Sequence, residues 1–187
     1  MPHNLCIYRV TLKSQMFIVK ELYKRAIFYS VVIYLLSIVY PSPFAHTTLF
    51  GLQPILYFIL GYCFWELLPL TTVHFQYLKY NKQTELSIDK NNRLIIIKEG
   101  DNVSSFRFDQ IIKIHLALMG AIYEGQKTGW VTLNRYHYAL IETQDGHRYF
   151  ITCLLINDLM KFFIENELEF WKEQIFWPRI RLARYDK

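Results

Sequence analysis

Two apolar runs placed back to back, from Ala26 to Val73, constrain this chain more than any other feature, and Pro41-Ser42-Pro43 divides them. The first run, Ala26–Tyr40, carries no charged residue. Alone it falls short of the ~20 residues a helix needs to cross a hydrocarbon core of ~30 Å. Its helical pattern extends backwards through Met16, Phe17, Ile18 and Val19, where Lys20, Lys24 and Arg25 can snorkel towards lipid headgroups. The second run, Leu49–Val73, is long enough by itself and holds one ionisable residue, Glu66, and two prolines, Pro54 and Pro69. A hairpin buried in a soluble protein would show a polar face on each helix, and neither run has one. A cleaved signal peptide is also disfavoured, because the first run starts late and a second follows it directly. The pattern predicts a two-helix transmembrane hairpin over 26–73.

Basic residues set its orientation. Arg9, Lys13, Lys20, Lys24 and Arg25 precede the hairpin, Lys79, Lys82, Lys90 and Arg93 follow it, and the connection Pro41–Thr48 has none. The positive-inside rule then places both termini in the cytoplasm. Tyr40, Trp65, Tyr77 and Tyr80 lie near run ends, where amphipathic rings favour the membrane interface. Glu66 falls in the last turns of the second run, where it can reach water or pair with Lys24 or Arg25; the other reading is an intramembrane polar residue facing a pore.

The net charge of +5 is spread over the membrane ends and the tail. That suits an anionic leaflet, and without a clustered reading element it argues against a nucleic-acid partner. Cys6, Cys63 and Cys153 are odd in number and far apart. They imply neither a disulfide framework nor a zinc site, and are read as reduced, buried thiols.

Around the hairpin the patterning is that of strands. Tyr8–Lys13 alternates apolar and polar within the basic segment 1–25, and this strand is expected to add to the sheet of the C-terminal part, with Ser14 capping a helix after it. Thr84–Lys90, Arg93–Glu99, Val103–Phe108 and Ile111–Leu118 read as strands with turns at Asp89–Asn92 and Gly100–Asn102. Met119–Gly129 reads as a loop. Trp130–Thr143 and Arg148–Leu155 read as a hairpin around Asp145-Gly146, the strongest two-residue turn signal. Asn157 is expected to cap a helix from Asp158 to about Ile175, with Glu165, Glu167, Glu169 and Glu173 on its solvated face and Pro178 stopping it. A basic tail, 176–187, ends the chain. One helix packed across an open, bent antiparallel sheet would cover the sheet's apolar face.

This arrangement resembles the bacterial pleckstrin-homology-like (PH-like) membrane proteins, including the YcxB-like group. The likeness lies in the two-span hairpin, the meander Arg93–Ile114, and the segment Tyr138–Asp158 with Asp145-Gly146 ahead of Tyr149-Phe150-Ile151-Thr152. It implies an α+β membrane protein of a bacterial inner membrane: a transmembrane hairpin followed over 84–175 by a bent sheet or partial barrel closed by a C-terminal helix. It implies no enzymatic activity and no cofactor. Lys90 and Arg93 are the only basic residues at the first hairpin loop, so specificity for a phosphoinositide headgroup is not carried over.

The residue types that could carry chemistry lack the spacing for it. His115, His137 and His147 have no i, i+4 spacing and no HExxH context, so no metal site is expected. Ser104 and Ser105 lack a nucleophile elbow, and Gly120, Gly125 and Gly129 lack phosphate-loop spacing. In the tail, Trp171, Phe176 and Trp177 lie beside Arg179, Arg181 and Arg184, a combination that suits contact with a membrane surface. The expected contacts are therefore Lys24, Arg25, Trp177, Arg179, Arg181 and Arg184 on lipid. The expected function is a membrane-anchored, non-enzymatic binding or scaffolding module. Its partners are the inner leaflet, or a protein or peptide at a sheet edge, with homo-oligomers open to it. The alternative is a subunit of an oligomeric transporter or channel that uses Glu66.

Overall fold

A computed structural model of the chain describes residues 5–11, 15–16, 20, 23–25, 27–29, 31–32, 35, 61, 63–125 and 132–180. Eight described strands form two four-stranded sheets. Sheet A runs in the order β1 (Leu5–Arg9), β2 (Thr84–Asp89), β3 (Leu94–Glu99), β4 (Asn102–Arg107), all antiparallel. Sheet B runs in the order β7 (Arg148–Thr152), β6 (Tyr138–Thr143), β5 (Ile111–Met119), β8 (Trp171–Ile175), and β8 joins β5 in parallel. The helices are α1 (Leu68–Asn81), preceded by a π-helical turn at Cys63–Leu67, then α2 (Gly120–Tyr123) and α3 (Leu159–Glu165).

Turn chemistry explains the hairpins. The Asp89 carboxylate accepts from the backbone N–H groups of Asn91 and Asn92 and from the Asn92 side chain, closing the β2–β3 turn. Gly100 and Gly146 take positive φ at the β3–β4 and β6–β7 turns, which a side chain would strain. The first core lies between the sheets and under α3: Leu86, Ile88, Ile95 and Ile97 face Ile114, Leu116, Ile141, Phe162 and Phe163. Tyr8 of β1 meets Phe162 edge to face at 5.4 Å, so the N-terminal strand is part of this core.

A second core lies on the opposite face of sheet B. Ala117, Tyr138, Leu140 and Phe150 are covered there by Leu70, Val73 and Tyr77 of α1. Sheet B is thus buried on both faces, which is why Tyr138–Ile141 is unbroken apolar sequence. The expectation of one covered face and one covering helix is corrected accordingly. Tyr77, expected at the membrane interface, is fully buried because α1 turns it onto the sheet.

Several expected elements differ in extent. The N-terminal strand is Leu5–Arg9, three residues earlier than its alternation suggested, and pairs with β2. The last helix stops at Glu165 rather than near Ile175. Leu168 N–H donates to Phe163 O and Glu167 N–H to Ile164 O, with Glu167 at φ 54°. This is a complete Schellman stop without its usual glycine. Glu165 alone of the four glutamates stays on the helix, and Glu173 lies on β8. Asp158, not Asn157, caps the helix by accepting from Lys161 N–H at 2.9 Å. Part of the expected loop after Met119 is α2, and the expected strand from Trp130 narrows to β6 behind a 3₁₀ turn at Thr132–Arg135. Cys6 is exposed on an edge strand, against the expectation of buried thiols, whereas Cys153 is buried. Most of the expected hairpin, including 36–60, lies outside the described residues. Those described between 15 and 35 are helical, and among the described residues no helix is long and apolar enough to cross a membrane.

Candidate functional site

The site is built where α1 crosses the outer face of sheet B. Two amide side chains of α1 bind backbone reciprocally at the two ends of the strand order. Asn81 donates to Phe150 O and accepts from Thr152 N–H, both at 2.8 Å, on edge strand β7. Gln76 donates to Ile180 O at 2.8 Å and accepts from Ile180 N–H at 3.2 Å, beyond β8. Between them the Tyr77 hydroxyl donates to Pro178 O at 2.8 Å, and its ring meets Tyr136 and Tyr138 edge to face. The segment after β8 is thereby strapped to α1, and α1 is seated across the whole width of the sheet.

The groups buried here are neutral. His74 Nδ1 lies 2.9 Å from the Tyr136 hydroxyl. Burial lowers the His74 pKa and raises that of Tyr136. Burial also pushes the Cys153 thiol up to about 12, so it is no nucleophile at neutral pH. His137 hydrogen-bonds Arg135 O through Nδ1 and accepts from Leu159 N–H through Nε2, which makes it a structural link to the start of α3.

Beside the junction opens a cleft of about 630 Å³. Its walls are Tyr29, Phe64, Trp65, Phe176 and Trp177, with Glu66, Pro69, Met119, Leu133 and Asn134. Glu66 pairs with Arg25 at 3.3 Å, and both side chains are largely sequestered. Phe176 is 92% exposed and Trp65 88%. A second cleft of similar volume lies at the far end of α1, where Lys79 and Lys82 share the walls with Glu99 and Asn102.

A family model described as a PH domain matches residues 7–160. The chain belongs to the PH domain family. No curated protein and no solved structure shows significant similarity to it. Members of the PH domain family are binding or scaffolding modules for lipids or proteins. In this PH domain the connection from β1 to β2, residues 10–83, holds both apolar runs and α1, while β8 lies beyond the matched residues.

Of the residues singled out in the sequence, Glu66 and Trp177 meet in the aromatic cleft, with Arg25 behind Glu66. Lys24 is an exposed helical residue, Arg179 is exposed next to the Ile180 strap, and Arg181 and Arg184 lie outside the described residues. Sequence reasoning missed Gln76 and Asn81. Their signal was a polar amide on the face of α1 that also carries Val73 and Tyr77, spacing that becomes visible once α1 is known to be buried on that side.

Proposed function

We propose that this PH domain is a membrane-anchored, non-enzymatic binding module of a bacterial inner membrane, with both termini cytoplasmic, seated against the inner leaflet. The observation that supports it most is the continuity of α1 with the second apolar run. The residues 49–68 ahead of the buried Leu70 number twenty, which meets the ~20 that a span requires. The helix emerging from such a span would be the one that seats sheet B, so the domain would sit at a set angle to the bilayer rather than on a loose tether. Trp65, Phe176, Trp177 and Arg179 then fall at the interface, where aromatic rings and basic side chains are favoured. The Arg25–Glu66 pair suits that level better than a pore. A protein or peptide strand has a place at the β4 edge of sheet A, where Val103 is exposed.

The test uses full-length protein in bacterial membranes. It should stay in the pellet after alkaline carbonate washing. In a Cys63→Ser background, exposed Cys6 should react with an impermeant thiol reagent in inside-out vesicles and not in intact spheroplasts. Release by carbonate, or labelling from outside, would overturn the reading.

A further inference from the structure

We infer that the aromatic cleft beside Glu66 takes a zwitterionic phospholipid whose headgroup carries an ammonium. The inference deepens the membrane reading and rests on it for the source of the ligand. Tyr29, Trp65, Phe176 and Trp177 all line one space, and Glu66 lines the same space. Rings gathered beside a carboxylate are the chemistry that recognises an organic ammonium. The Arg25 guanidinium, 3.3 Å from Glu66, holds that side chain in place from behind the cleft wall. An ammonium headgroup sets a cation against the rings and the Glu66 side chain, whereas an anionic glycerol headgroup would set only a hydroxyl there.

The size of the cleft adds a second argument. A volume of about 630 Å³ far exceeds what an ammonium group fills, and leaves room for a glycerol backbone and the first part of an acyl chain along apolar walls. The π-helical turn at Cys63–Leu67 contributes the geometry: Phe64 and Trp65 point outwards while Glu66 stays partly covered. Such turns recur at functional sites because the wider turn re-aims side chains. The opposite wall comes from the strap after β8, which the Gln76–Ile180 and Tyr77–Pro178 hydrogen bonds hold in place.

The experiment uses full-length protein with Trp130→Phe and Trp171→Phe, so that Trp65 and Trp177 report. It is reconstituted in phosphatidylglycerol nanodiscs doped with either phosphatidylethanolamine or phosphatidylglycerol carrying brominated chains. The ethanolamine lipid should quench tryptophan emission with an apparent preference of about fivefold, the scale of a cation–aromatic contact at an exposed site. Glu66→Gln should abolish the preference. Phe176→Ala should weaken it without unfolding, because that ring is 92% exposed. Soluble phosphoethanolamine should not relieve the quenching. Equal quenching by the two lipids, an unchanged preference in Glu66→Gln, or relief by the soluble headgroup would each overturn the inference. Carbonate-resistant protein without a preference would overturn the inference and leave the membrane reading standing; protein released by carbonate would overturn the membrane reading itself.

Discussion

Asn81 shows how much one side chain can carry here. It is fully buried and replaces a missing neighbour strand at β7 by bonding Phe150 O and Thr152 N–H. Asn81→Ala would leave two buried backbone groups without partners, and should lower stability by about 2–4 kcal/mol in chemical denaturation. His137 supplies a pH dependence of definite sign. Burial holds its imidazole below the usual histidine range. Between that lowered value and the ordinary ~6.5, the unfolded chain binds a proton that the folded chain does not, so stability rises with pH through this window and falls on acidification. The thermal midpoint should drop between about pH 7.5 and pH 5.5, and His137→Gln should flatten that drop. His74 and His115 are shifted the same way by burial and add to the slope with the same sign.

At the scale of elements, the informative case is the end of α3. Its sequence reads as helix well past Glu165 because Leu168, Phe170 and Trp171 keep supplying apolar residues and no glycine or proline intervenes before Pro178. The chain stops earlier because Leu168 is buried against the core when Glu167 turns left-handed, and because β5 offers a free edge to Trp171–Ile175. The left-handed conformation costs a glutamate about a kcal/mol. Glu167→Gly should therefore stabilise the protein by about 0.5–1 kcal/mol in a thermal melt, a gain that would not arise if the helix ran on. The β2–β3 and β6–β7 hairpins, by contrast, were legible in advance, because Asp89–Asn92 and Asp145-Gly146 encode their turns locally.

For the whole molecule, the PH fold closes through its most distant pieces. β1 pairs with β2 across residues 10–83, and α1 covers the outer face of sheet B. A fragment starting at Thr84 would expose the β2 edge and the face formed by Tyr138, Leu140 and Phe150 together. Such a fragment is expected to aggregate and to show no cooperative unfolding, whereas the full chain in detergent should unfold cooperatively. A sharp, reversible melt from residues 84–180 alone would show that β1 and α1 are dispensable.

The sequence by itself determined the strands of the meander, their turns and the apolar double run, because alternation, Asx and glycine turns, and unbroken hydrophobicity are local properties that a chain expresses wherever it lies. It also offered Glu66 water, Lys24 or Arg25 as partners, and singled out the aromatic–basic tail; the choice of Arg25 came with the structure. Only the tertiary structure decided that Leu70, Val73 and Tyr77 belong to a second core, that α3 ends in a left-handed glutamate, and that Trp65 and Trp177 share a cleft. Each of these depends on which surface meets which, over separations that exceed a hundred residues for Trp65 and Trp177. A residue's own pattern states how apolar it is, but not what covers it.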